Sequence, residues 1–134
     1  DVYKRQTEGR PIRNGLKMAK ELKSCGIKVT LISDASVAYF MPEADLVIVG
    51  GEAMTPFGLI SQIGANSMAI VANYFEKRFY GAVELLKMSE RVIAEERDPR
   101  EICDEVRARN PGFDLTRCKF ISQRVERYDL LTFI

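Results

Sequence analysis

The sequence predicts an α/β domain, a Rossmann-like, mostly parallel sheet flanked by helices. Three observations carry that expectation. Stretches of helical periodicity alternate with short β-branched runs, helix, strand, helix, strand, helix, strand. The connections between them are short. The run Leu46–Val49 is apolar on both faces, as a strand buried between two helical layers is. With 134 residues, 46% hydrophobic and 29% charged, the chain has the length and composition of one globular domain, which excludes disorder, collagen and coiled coil.

Each element has its local reason. Leu16, Ala19, Leu22 and Cys25 recur at helical spacing with Lys17, Lys20 and Lys23 opposite, and Gly26 supplies the stop. Ile27–Ile32 reads as a β-branched strand. Ser33-Asp34 offers an N-cap to a short helix over 35–41 that Pro42 closes, and Asp34 is more a cap than a catalyst. Leu46–Val49 is the second strand, and the glycine-rich turn Gly50–Gly58 leads into an expected helix over 59–74. In that helix Gly64, Ala65, Ala69 and Ala72 suit close packing on a sheet. Arg78–Val83 is the third strand. The chain then turns polar through Glu95–Pro99 and Asn110-Pro111-Gly112, before Thr116 caps an expected last helix over 117–128 and an apolar run closes at Ile134.

Charge is distributed unevenly. Residues 1–28 hold eight Lys/Arg and three acids, residues 29–75 hold four acids and no base, and residues 76–134 hold twelve of each. The net +1 argues for neither nucleic acid nor an anionic membrane as partner. No apolar stretch approaches the roughly 20 residues of a membrane helix, and Lys4–Arg10 is no apolar leader. There is no histidine, which removes His-based zinc sites, Ser-His-Asp and Cys-His catalysis. Cys25, Cys103 and Cys118 form no C-x-x-C pair, so no disulfide framework or metal cluster is expected and a reducing, cytoplasmic setting is. No cofactor is implied.

In a parallel sheet the loops after the strands share the carboxyl edge, where open α/β folds bind ligands. Asp34, Glu52 and Glu84 therefore converge, with Lys87 the nearest base in sequence. Glu52 stands out, because it follows a buried strand in a Gly50-Gly51 turn that lets backbone approach a ligand. A carboxylate there suits general base work, and capping of nearby amides is the plainer alternative. Neither a dinucleotide fingerprint nor a P-loop is present.

Taken in order, these segments resemble a known family. Glu8-Gly9-Arg10-Pro11 with Gly15, Ala19-Lys20-Glu21-Leu22 and Gly26-Ile27, then Asp34–Met41, Val47–Glu52, Ile63-Gly64, Glu84–Met88 and Phe113–Thr116, resemble the translation initiation factor 2B alpha/beta/delta family. That family includes the methylthioribose-1-phosphate and ribose-1,5-bisphosphate isomerases. Glu95–Pro99 and Arg109-Asn110-Pro111 lean toward the archaeal ribose-bisphosphate isomerase branch.

The resemblance implies the family's C-terminal Rossmann-like domain over 7–134, with residues 1–6 a foreign or disordered leader and the chain part of a longer protein. It also implies a regulatory, subunit-contact module in a homo- or hetero-oligomer, binding a sugar phosphate or nucleotide. The alternative is an aldose–ketose isomerase acting on ribose 1,5-bisphosphate and incomplete in this chain, with Glu52 moving the proton. Arg10, Gly50, Gly51, Gln62, Glu84 and Lys87 would then line the substrate and phosphate site. Two departures favour the module. Glu52 stands where the isomerases carry Asp, and Gln62 where they carry a phosphate lysine.

Overall fold

The computed structural model describes residues 3–84, 88–90 and 94–126, with backbone only for 123–126. The chain opens with strand β1 (Tyr3–Thr7), helix α1 (Asn14–Ser24) and strand β2 (Lys28–Ile32). β1 and β2 pair in parallel, Tyr3 beside Lys28 through Thr7 beside Ile32. Residues 1–6, expected as a leader, are thus ordered from Tyr3 onward. An edge strand needs only its backbone for pairing, and the charged side chains of Lys4 and Arg5 do not prevent it. α1 starts hard against the end of β1, where a Cβ at Gly15 would overlap the Thr7 carbonyl oxygen. It ends as its sequence predicts: Gly26 turns at φ 81°, while its N–H donates to Lys23 O (3.0 Å) and that of Ile27 to Leu22 O (3.1 Å).

After β2 the chain makes the short helix α2 (Val37–Phe40), framed by 3-10 turns at Asp34–Ser36 and Met41–Glu43, and enters strand β3 (Leu46–Gly50). β3, β6 (Arg78–Val83) and β8 (Gln123–Glu126) form a second parallel sheet in the order β3-β6-β8. Between β3 and β6 lie strand β4 (Ala53–Thr55), strand β5 (Gly58–Gln62) and helix α3 (Ala65–Tyr74). β4 and β5 join β7 (Phe113–Arg117) in an antiparallel sheet.

Two helical expectations are corrected here. Residues 58–62 form a strand, and α3 begins only after Gly64, at φ 103°. Leu59 and Ile60 are both fully buried and point to opposite faces of β5, which pairs with β4 on one edge and β7 on the other. The turn before them is a hairpin: the Thr55 hydroxyl accepts from the N–H groups of Phe57 and Gly58 (3.2 Å each) and donates to Gly58 O (3.0 Å). The expected helix over 117–128 is replaced by the end of β7, a 3-10 turn at Cys118–Phe120 and β8. Thr116, expected to cap that helix, is wholly buried beside Leu59 in the β5–β7 ladder.

The core lies between β3/β6 and the helices α2 and α3, built from Met41, Val49, Met54, Leu59, Phe79 and Val83. α3 contributes Ala65, Ala69 and Ala72, whose spacing gives one smooth stripe that lets the helix press close to the sheet. Among the described residues no helix is long and apolar enough to cross a membrane.

Candidate functional site

β1, β2, β3 and β6 all run in parallel pairs, and the segments after them are Glu8–Arg13, Ser33-Asp34, Gly51-Glu52 and Glu84. At the β1–β2 end, Asp34 does something other than cap. Its carboxylate accepts from Gly9 N (2.9 Å) and Arg10 N (2.7 Å), reaching back across 25 residues. Ser33 makes no side-chain cap either. Asp34 therefore fixes the backbone that carries Arg10, whose side chain is 58% exposed and pairs with Glu8 at 3.5 Å.

At the β3–β6 end, Gly51 N donates to Ala82 O (2.8 Å) and Glu52 N to Ile60 O (2.8 Å). The Glu52 backbone is thus locked to two sheets while its side chain stands exposed. Gly51 has a packing reason to be glycine: a Cβ there would run into Leu59 Cδ1 and Val83 Cγ2. Gly50 has open space around it. In the β4–β5 hairpin Ala53 lies beside Ile60, which sets Glu52 level with Ser61 and Gln62 one residue beyond. Gln62 is exposed. Gly50 lies beside Ala82, so Glu52 and Glu84 leave neighbouring strands at one level. Lys87 lies outside the described residues.

Two groups of polar residues, in segments that carry the family resemblance, make contacts that the sequence does not disclose. Asp114, on β7, accepts from Gly64 N (2.8 Å) and Asn66 N (3.2 Å) and so caps α3 from 48 to 50 residues away. Burial pushes its carboxyl above the usual range, only partly offset by those hydrogen bonds. No local pattern announces such a cap.

The second group ties the loop 95–112 into a knot around Asn110, which is 2% exposed. Its side-chain amide donates to Asp98 O (2.9 Å) and Glu101 Oε2 (2.9 Å), and its N–H donates to Glu96 Oε1 (2.7 Å). Arg109 grips Glu96 with two bonds of 3.0 Å, and Arg97 grips Glu101 at 3.0 and 2.8 Å. Each guanidinium holds its partner's carboxyl below the ordinary range. Arg100 lowers Asp98 to about 2. An open cleft of about 330 Å³ lies beside the knot, lined by Glu95, Glu96, Arg109, Phe113 and Asp114 among others.

A model of the initiation factor 2 subunit family matches residues 5–125. The chain belongs to that family. The ribose 1,5-bisphosphate isomerase of Methanocaldococcus jannaschii is 37% identical over 138 residues, covering 93% of this chain and 45% of that protein. The protein of the same name from Archaeoglobus fulgidus is 41% identical over 128 residues, covering 86% and 41%. Among solved structures, the translation initiation factor eIF-2B of Pyrococcus horikoshii OT3 superposes with a TM-score of 0.85 at 32% identity, covering 92% of this chain and 46% of that one. This family member spans less than half the length of the two isomerases it matches.

Proposed function

We propose that this chain is a regulatory, subunit-contact module of the initiation factor 2 subunit family that binds a sugar phosphate or nucleotide at the carboxyl edge of its parallel strands. Arg10 meets the phosphate, and Gly50, Gly51, Glu52, Gln62, Glu84 and Lys87 frame the remainder. What chiefly supports a non-catalytic role is the hairpin end itself. Glu52 and Gln62 sit there within a 47-residue stretch, 29–75, that carries no Lys or Arg. An isomerase acting on a bisphosphate needs cations around both phosphates, and this stretch supplies none. The Glu52 side chain is also one methylene longer than an Asp, which shifts a proton-transfer group by about 1 Å and costs on the order of 10²-fold.

The second reading, an aldose–ketose isomerase of ribose 1,5-bisphosphate with Glu52 moving the proton, is favoured by the names of two archaeal relatives. Titrating ribose 1,5-bisphosphate into the protein under NMR separates the two. The module should show saturable shifts at Gly9-Arg10 and Gly50–Glu52, with no ribulose product and with binding kept in Glu52→Gln. Turnover that Glu52→Gln abolishes would install the isomerase instead.

A further inference from the structure

Arg10 is tied down along its backbone and loose along its side chain. Gly9 N donates to Asp34 Oδ1 (2.9 Å) and Arg10 N to Asp34 Oδ2 (2.7 Å). Glu8 N donates to Ile32 O (2.9 Å), Glu8 O accepts from Leu16 N (3.2 Å), and Gly9 O accepts from Arg13 N (2.6 Å). From Glu8 N to Arg10 N the backbone therefore uses every donor and both intervening carbonyls. Gly9 turns there at φ 72°, and a Cβ on it would stand 3.1 Å from Gly15 N. The guanidinium is the reverse. The Arg10 side chain is 58% exposed and makes no hydrogen bond among the described residues. Its one tie is an ion pair from Nε to Glu8 Oε2, at 3.5 Å too long for a good hydrogen bond. The donor fork that matches phosphate oxygens is thus unused.

We infer that the two acids beside Arg10 act on phosphate binding in opposite senses: Asp34 positions Arg10, and Glu8 competes with the ligand for it. This rests on the placement of the phosphate at Arg10 proposed above, and it holds for the module and the isomerase alike. Each oxygen of Asp34 receives one backbone N–H, so Asp34 sets the point from which the Arg10 side chain starts. Less freedom then remains to be lost when a phosphate arrives. Glu8 holds the guanidinium by charge alone, and an incoming phosphate takes its place. A phosphate monoester prevails in that exchange because it carries close to two charges and three acceptor oxygens. The Glu8 carboxylate offers one charge and no hydrogen bond at its distance. Glu8 therefore keeps Arg10 paired without ligand and lowers the affinity of the ligand that displaces it.

The test is calorimetric titration of ribose 1,5-bisphosphate into the intact chain and its variants. Charge alone makes a different prediction: removing either carboxylate takes a negative charge away from an anion, so Glu8→Gln and Asp34→Asn would both tighten binding. Positioning reverses one sign. Asp34→Asn sets an amide NH2 where a backbone N–H needs an acceptor, which loosens the loop and should weaken binding about fivefold. Glu8→Gln should tighten it about threefold, the scale of an exposed ion pair. Both effects should vanish in an Arg10→Ala background, where general damage to the fold would persist. With Arg10→Ala itself weakened, the proposal alone is overturned by unchanged or tighter binding in Asp34→Asn, by unchanged or weaker binding in Glu8→Gln, or by either effect surviving without Arg10. If Asp34→Asn does not fold, Glu8→Gln alone and combined with Arg10→Ala still decides. No binding by the native chain, or equal binding by Arg10→Ala, removes the phosphate from Arg10 and this proposal with it.

Discussion

At the scale of single residues, the glycines of the central hairpin are set by contact rather than by ligand approach. Gly58 sits at φ 151°, and a Cβ there would overlap the Thr116 carbonyl oxygen, which is backbone and cannot swing aside. Gly58→Ala should therefore lower unfolding free energy by about 2 kcal/mol or more in urea titrations. Asp114 offers a test with a sign. Burial raises its folded carboxyl pKa above the unfolded value. Its ionised form is thus disfavoured on folding, and the associated stability is full below the unfolded pKa and lost as pH rises through the folded one. Asp114→Asn keeps an oxygen for Gly64 or Asn66 and carries no charge. Denaturation of both proteins at acid and neutral pH should show the asparagine variant gaining on the native protein as pH rises. A constant difference across that range would mean that the carboxyl is not displaced.

At the scale of elements, the knot around Asn110 is held by carboxylates whose folded pKa values are depressed, so its stability is present above their unfolded values and disappears as pH falls. For Asp98 that window runs from 3.8 down to about 2. Protection of the Asn110 and Gly112 amides, whose acceptors are Glu96 Oε1 and Glu95 O, taken relative to their intrinsic exchange rates, should hold above the ordinary carboxylate value of 4.5 and decline as pH falls below it and the Glu96 carboxylate is neutralised. Asn110→Ala should cost about 2 kcal/mol by removing two side-chain bonds from a buried site. This knot also marks the limit of what a sequence discloses. α1, β2, β3 and β6 are legible because each carries its own periodicity and stop signal. β5 is not, because Gly58–Gln62 holds only two large apolar residues, Leu59 and Ile60, a pair that fits a strand or a helix equally, and their burial on opposite faces is a tertiary fact. β7 and β8 are hidden for the same reason: Thr116-Arg117 looks like a helix start until β5 lies beside it. The site divides likewise. The carboxyl-edge position of Glu52 follows from strand order alone, whereas the reach of Asp34 back to Gly9 and Arg10 depends on β1, which its charged sequence disguises.

At the scale of the whole molecule, a net charge of +1 conceals a basic first fifth and a base-free centre, and the proposed binding edge draws residues from both. Arg10 comes from the basic part, where Glu8 pairs with it and Asp34 holds its backbone, and Glu52 and Gln62 come from the other, so Arg10 is the one cation these three residues offer a phosphate. A phosphate bound by this arrangement is held from one side. Arg10→Ala should weaken binding of ribose 1,5-bisphosphate by about tenfold or more in calorimetry, the loss expected of one charge-assisted contact. Gln62→Lys should do the opposite and tighten it severalfold, because a cation at the end of β5 offsets Glu52 and the exposed position asks for no desolvation of the new charge. The added affinity should fall steeply as salt is raised, since the gain is Coulombic and partly screened at physiological ionic strength. If Gln62→Lys leaves affinity unchanged at low salt, the phosphate does not lie at the hairpin end. The ligand would then be held by the β1 side alone, and the base-free centre would serve the subunit contact rather than the ligand.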